Sequence, residues 1–314
     1  MIQQGSYAIP REDLGEAFHE YDSSVDGFIA DQILPVREVR KKAATLSVVT
    51  RENLKRADDR HANGATFNRV NLAVEDKEYL CVDRGLEGPL SDEDRENYEN
   101  DFDAELETVA DIRHKIYVER EIRAAELVFN TTTWTGADLY TDNSGSPWDN
   151  VGTNIIAQVA AAKEKTRRLT GVYPDSMVIG AATLNNVQMN TGIIARFPGA
   201  SIVTEAMILA NLAALFGLQN LFVGKKTYDS AAEGQDFAAA DIWADDYAMV
   251  FRRQTNSTRS PGLGRHVVWS NMAAGKPTVI QYREEQTESD IFRDRLFEEA
   301  KIWDAFFGHL MKID

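Results

Sequence analysis

A chain of 314 residues, 43% hydrophobic and 27% charged, is long enough for one or two globular cores of mixed class. Its net charge of −16 argues against a protein built to grip nucleic acid, whose phosphates call for clustered Lys and Arg. No run approaches the roughly 18 to 20 apolar residues of a membrane span, residues 1–10 carry neither a basic nor an apolar leader segment, and the lone cysteine, Cys81, excludes an internal disulfide and a cysteine-built zinc site.

Residues 1–36 are polar and irregular, interrupted by Pro10, Gly15, Gly27 and Pro35. Residues 28–36 form an apolar anchor that ends beside a proline, so the chain is expected to leave it extended. Alternation of Leu46 with Val48, and of Val70, Leu72 and Val74, predicts strands over 45–50 and 67–74, with a polar segment between them. Such a hairpin is marginal in water and must lean on something. Ser91, followed three residues later by Asp94, signals a helix start. Tyr98, Phe102, Leu106, Val109, Ile116 and Leu127 then recur at near-helical spacing. They predict one helix over 91–130, roughly 55–60 Å long, with a narrow apolar stripe on a sheet and charged flanks facing water or another subunit.

Beyond the loop 141–147 the text changes to a compact unit. Residues 150–168 read as a helix with Ile155, Ile156 and Val159 inward, closed by Gly171. Residues 177–179 and 220–224 read as buried strands, 182–190 as a short helix, and 204–216 as an apolar helix stopped by Gly217. Residues 228–235 suggest a surface loop and 242–251 a hairpin turning at Asp245 and Asp246. Strand-like text returns at 266–269, 278–282 and 302–310, the expected floor beneath the long helix. Short buried strands alternating with helices, between outer strands from both halves of the chain, predict an α+β protein.

The charge is unevenly spread. Residues 75–107 carry fourteen Asp and Glu against three Lys and Arg, whereas residues 37–56 carry seven Lys and Arg against two Glu. Two readings stand open: both segments are solvated surfaces, or the basic segment of one subunit lies against the acidic segment of another. The second names Arg37, Arg40, Lys41, Lys42, Arg51, Lys55 and Arg56 as contacts on one side. It names Asp92, Glu93, Asp94 and Glu96 on the other.

A search for chemistry returns little. His19, His61, His114, His266 and His309 form no metal-binding pair at helical spacing. No nucleophile elbow occurs, and Cys81, inside the apolar run 79–82, reads as a small buried hydrophobe. Gly275 and Lys276 lack the cradle of a phosphate loop, and Gly262 and Gly264 read as a turn. The pairs Asp101 with Asp103 and Asp245 with Asp246 suit a hard cation in type but sit in solvated acidic text. Trp303, Phe306 and Phe307 read as core or subunit contact rather than a ligand cage. No catalytic residue, cofactor or metal site is expected.

Several local patterns nevertheless stand in a recognisable order. They are Phe28-Ile29-Ala30…Leu34-Pro35-Val36, a long helix ending near Glu121…Ala124-Ala125…Leu127, Gly171-x-Tyr173-Pro174…Val178-Ile179-Gly180, and Leu215-Phe216-Gly217…Val223-Gly224. This order resembles the major capsid proteins of tailed phages, whose shell fold is shared with herpesvirus floor domains and encapsulins. The resemblance implies an N-terminal arm at 1–36, an extended loop at 37–82, a peripheral domain with a long spine helix at 83–149 and 256–314, and an axial domain at 150–255. It further implies a subunit without enzymatic activity, assembled in the host cytoplasm into hexamers and pentamers of an icosahedral virion shell. That shell would enclose double-stranded DNA without reading its sequence and would contact no membrane, with scaffold, portal and decoration proteins as candidate partners. The alternatives are an encapsulin-type shell around protein cargo and, more distantly, a cytosolic α+β enzyme.

Overall fold

Two sheets carry the chain, and each is completed by segments far apart in sequence. The computed structural model describes residues 9–10, 27–60, 66–98, 103–197, 205–232, 234–236, 238–254, 261–270 and 278–314. The first half runs β1 (Ile9–Pro10), α1 (Ala30–Ile33), β2 (Val36–Val39), β3 (Ala43–Val49), β4 (Val74–Leu80), β5 (Val82–Ser91), α2 (Asp92–Tyr98), α3 (Ala104–Val128) and β6 (Tyr140–Asp142). The middle adds α4 (Ile155–Thr170), β7 (Ser176–Gly180), α5 (Ala181–Met189), α6 (Thr191–Ile194), α7 (Glu205–Phe216), β8 (Asn220–Gly224), β9 (Thr227–Asp229) and β10 (Ala239–Asp241). The end is β11 (Tyr247–Phe251), β12 (Gly264–Trp269), β13 (Thr278–Glu284), β14 (Ser289–Ile302) and β15 (Gly308–Lys312).

The outer sheet has the order β1-β13-β14-β12-β2, and β5 pairs with the edge of β14 opposite β13. Its organising strand, β14, is 14 residues long. Its text is so charged that periodicity predicts no strand over most of it. Burial of its alternate residues is made tolerable by cations from α3, described below. β5 was missed for a different reason, since Gly88 and Pro89 signal a turn. Here Pro89 lies opposite Ile291 on a strand paired only with β14, and an edge strand can lack one donor.

The expected single helix over 91–130 is two. Ser91 does cap α2, its hydroxyl accepting from Asp94 N–H at 3.1 Å. A second cap, Asp103, then accepts from Glu105 N–H and Leu106 N–H and starts α3 afresh. Residues 99–102 lie outside the described residues. At 25 residues α3 spans about 37 Å, shorter than expected. Val109, Ile112 and Ile116 pack with Leu90, Val279 and Phe292 of the outer sheet.

The inner sheet is β6-β15-β11-β7-β8. Its central strands are antiparallel, whereas β7 with β8 and β15 with β6 are parallel pairs. Every residue of β7 is buried, as its apolar text requires. α4 lies over this sheet through Ile155, Val159 and Ala162, and ends as expected at Gly171 in the left-handed conformation, φ 77°. Two expectations fail here. Residues 302–310 are not one strand: β14 ends at Ile302, a short 3-10 turn at Ala305–Phe307 follows, and β15 crosses into the inner sheet. Residues 242–251 are not a hairpin either. β11 pairs with β7 and β15, while β9 and β10 form a separate ribbon on either side of the segment expected as a surface loop.

Candidate assembly surfaces

The hairpin β3–β4 pairs from Ala43 opposite Leu80 to Val49 opposite Val74. Its second strand therefore begins where the predicted 67–74 strand was to end. Val70 and Leu72 alternate as a strand would, yet they and Phe67 are 74%, 68% and 75% exposed beyond the paired region. What the hairpin leans on is its own subunit. Ala44 and Leu46 pack on a cluster of Tyr79, Cys81, Phe297 and Trp303, and Trp269 meets Phe297 edge-on at 5.1 Å. Lys77 Nζ donates to the carbonyl of Trp303, and Leu80 N–H donates to Glu299 Oε2 at 2.7 Å. Cys81 is fully buried in this cluster, and burial pushes its thiol up to about 11. It is the inert hydrophobe expected of its setting.

The predicted basic contacts divide into engaged and free groups. Lys42 Nζ stands 4.8 Å from the centre of the Phe297 ring, and Arg51 Cζ stands 3.4 Å from that of Phe306. Lys55 pairs with its neighbour Glu52 at 3.4 Å, and Arg37 is half-buried on β2. Arg40, Lys41 and Arg56 are exposed and have no ion-pair partner among the described residues. On the acidic side, Asp92 accepts two hydrogen bonds of 2.6 Å from Arg283, which hold its carboxyl below the usual range. Asp94 is taken by the Ser91 cap at 2.7 Å. Glu93 and Glu96 face solvent. Asp94 also marks the lip of a groove of about 790 Å³ between β5 and α3, with Glu87, Glu107 and Asp111 on its walls and Leu90, Ala104 and Ile112 as its floor.

The charged flanks predicted to face water or another subunit are, in part, the interior of this one. Arg113 meets Asp294 at 2.6 Å, Arg120 meets Glu298 at 3.1 Å and Asp31 at 2.8 Å, and Arg123 meets Glu298 at 2.5 Å. Arg113, Arg120, Asp294 and Glu298 are all buried. His266 of β12 lies wholly inside this seam, 3.5 Å from Asp31 and 3.9 Å from Glu298. Burial, reinforced by Arg120, Arg123 and Arg84, holds its imidazole well below its ordinary range, so it is neutral. One turn of α3 also carries Glu121, whose carboxylate accepts from Ile29 N–H at 2.9 Å, Ala30 N–H at 2.8 Å and Trp243 Nε1–H at 2.6 Å. Sequence reasoning missed this joint. The signal was present in the anchor text and in Glu121, but nothing local says that they meet.

Nothing in these clusters brings a nucleophile, a base and an oxyanion site together. Among the described residues no group of three or more His, Cys, Asp or Glu could hold a metal ion, and no helix is long and apolar enough to cross a membrane. Asp245 is occupied structurally, accepting from Thr183 N–H at 3.1 Å. Asp101, His19, His61, Gly275 and Lys276 lie outside the described residues. What the surfaces offer is contact: a projecting loop with apolar and basic side chains, and an acidic groove.

No family model matches the sequence. The major capsid protein of Burkholderia phage BcepMu is 25% identical over 284 residues, 86% of this chain and 87% of that one. The major capsid protein of Pseudomonas phage JBD67 is 22% identical over 210 residues, 66% of either chain. A phage-related protein from Bordetella bronchiseptica superposes with a TM-score of 0.72 over 98% of both chains at 16% identity. The capsid structure of cyanophage P-SCSP1u gives 0.58 over 99% of this chain and 90% of that one at 12% identity. An encapsulin from Synechococcus elongatus gives 0.54 over 90% and 85% at 10% identity. In fold, along nearly its whole length, and in sequence, the chain is similar to the major capsid proteins of phages.

Proposed function

We propose that the chain is the major capsid subunit of a tailed phage, building by self-assembly the icosahedral head shell around a double-stranded DNA genome. The observation that carries this is the sequence similarity to a phage major capsid protein over 86% of the chain, supported by a fold like that of a phage capsid structure over 99% of it. The build of the subunit supports it. Its projecting loop exposes Phe67, Val70 and Leu72, which a solitary monomer has no reason to leave in water. Closed shells use several modest contacts per subunit, and loops that reach a neighbour make those contacts collectively strong.

In this reading residues 1–36 are the arm, 37–82 the extended loop, 83–149 with 256–314 the peripheral domain, and 150–255 the axial domain, in hexamers and pentamers. Arg40, Lys41 and Arg56 of one subunit face the acidic groove and Glu93 and Glu96 of another. Opposite fields of this kind set register more than affinity. Lys42, Arg51 and Asp92 hold partners within their own chain and contribute less. Scaffold, portal and decoration proteins are the partners such a shell would meet. The subunit catalyses nothing, and DNA is enclosed without sequence-specific contacts.

Electron microscopy of the overexpressed protein after size exclusion tests this. Closed shells, tubes or capsomer rings are expected, and a protein that stays monomeric or dimeric at high concentration and with crowding agents would overturn it. A nanocompartment around protein cargo is the second reading, favoured by the encapsulin likeness. Shells purified from the native source separate the two, since one carries nucleic acid and the other a cargo enzyme.

A further inference from the structure

We propose that Arg51 and Phe306 form a clamp that fixes the neck of the 50–73 loop to the subunit body and thereby sets the direction in which the loop is presented to a neighbour. The inference deepens the shell reading above and rests on it. β3 and β4 stop pairing at Val49 and Val74. Just beyond, Thr50 N–H donates to the carbonyl of Ala73 at 3.1 Å, and the Asn53 amide closes the neck from both sides. Its Nδ2 donates to the carbonyls of Thr50 and Ala73, each at 2.8 Å, and its Oδ1 accepts from Ala73 N–H at 2.9 Å. Residues 50–53 and 73–74 therefore move as one piece.

Arg51 lies in that piece, and its guanidinium stacks 3.4 Å from the centre of the Phe306 ring. A planar guanidinium on a ring face is attracted by the quadrupole and holds one orientation. The ring itself is well held. Phe306 packs against the core shared by α3 and the inner sheet, and its N–H is capped by Asp304 at 2.9 Å in the turn between β14 and β15. Lys77, opposite Leu46 and nearer the hairpin base, provides a second hold through the carbonyl of Trp303. The holds through Leu46, Lys77 and Leu80 fix the hairpin nearer its base, and Arg51 is the one at the neck, without which the far end is free to bend. The exposed apolar residues Leu54, Phe67, Val70 and Leu72 all lie in or beyond the neck. A fixed neck lowers the ordering cost of docking them.

The test compares wild type with Arg51→Ala, Phe306→Leu and the double variant as purified subunits, following shell formation by light scattering and particle size by electron microscopy. Arg51→Ala and Phe306→Leu are each expected to raise the concentration needed for assembly about two- to fivefold and to broaden the size distribution. The double variant should be no worse than the poorer single one, and Arg51→Ala should keep the wild-type melting temperature. Wild-type assembly and size in Arg51→Ala, or losses that simply add in the double variant, would overturn the clamp. If the wild type itself forms no shells, the shell reading fails separately. Amide exchange at Asn53 and Ala73 then decides on the clamp, with faster exchange in Arg51→Ala sustaining it and unchanged exchange rejecting it.

Discussion

The indole N–H of Trp243 reaches Glu121 Oε1 at 2.6 Å, and through that one carboxylate the long helix, the inner sheet's flank and the apolar anchor are tied together. The two partners are 122 residues apart. Trp243 also meets Phe129 edge-on at 5.3 Å, so the same indole is held on both its polar and apolar sides.

Replacing Glu121 by Ala leaves three buried donors without an acceptor, and destabilisation of about 3–5 kcal/mol is expected. Glu121→Gln keeps one acceptor oxygen and should lose about half as much. Urea unfolding measures both. Hydrogen exchange at residues 29–34 should rise first in Glu121→Ala, because the α1 anchor is held there by two of the three bonds. Wild-type stability in the Ala variant would show that the joint carries no weight.

Stability should fall on the acid side through His309. Its Nδ1–H donates to the carbonyl of Asp138 at 2.9 Å, which leaves Nε2 to accept from the Thr141 hydroxyl at 2.8 Å. Lys165 Nζ in turn donates to Thr141 at 2.8 Å. Burial holds this imidazole down to about 4, so the unfolded chain takes up the proton first as pH falls. The contribution is complete above the ordinary value near 6.5 and is lost between about 6.5 and 4, on the order of 3 kcal/mol. Buried Glu121 and the half-exposed Asp31, whose carboxyls are raised by loss of solvation, act in the opposite sense as they are protonated. The measurement is therefore a difference: denaturation of unassembled subunits against pH, with His309→Gln giving the flatter acid limb. Parallel limbs would remove His309 from the account.

Reversing Arg40, Lys41 and Lys42 to Glu should impair assembly while the monomer stays folded. Arg40 and Lys41 are exposed and free of ion pairs among the described residues, so the folded chain loses little. Assembly should also weaken as salt rises toward 0.5 M. Light scattering that matches wild type would reject the basic face as a contact.

Gly264→Ala should cost more than Gly88→Ala. A Cβ at 264 would run into the Lys301 carbonyl and come within 2.9 Å of Ile302 Cα, both backbone atoms of β14. Strand separation would have to change, at about 2–3 kcal/mol. At 88 the atoms met are Ile112 Cδ1 at 2.7 Å and Thr108 Cγ2 at 2.9 Å, side-chain ends that can turn aside, at about 1 kcal/mol. Equal thermal midpoints for the two variants would contradict the argument.

The inner unit was legible because its elements obey local rules. Asn220–Gly224 is a strand between turn residues, buried at its end and half-buried before it, and Gly171 and Gly217 both close helices with positive φ as their text predicted. In the outer sheet β12 and β13 stand where strand-like text at 266–269 and 278–282 put them, but β14 and β5 were not legible, since they carry charge and Pro where periodicity asks for apolar residues. The burial of Asp294 and Glu298 in β14 is settled by Arg113, Arg120 and Arg123 from α3, partners that no window along the chain contains. The assembly residues were read from charge alone. That reading found the exposed groups but could not separate Arg40 and Lys41 from Arg51, whose cation is spent on Phe306.

The inward-facing charges of β14 also decide what else may lie on that sheet. Asp294 and Glu298 can be covered only by an element that brings cations at the spacing of Arg113 and Arg120, one on each side of two helical turns. An apolar helix or a stray strand from a crowded neighbour would have to strip water from both carboxylates and give nothing back. A subunit caught with α3 lifted would thus show any copy of itself a surface that refuses the wrong partner and readmits its own.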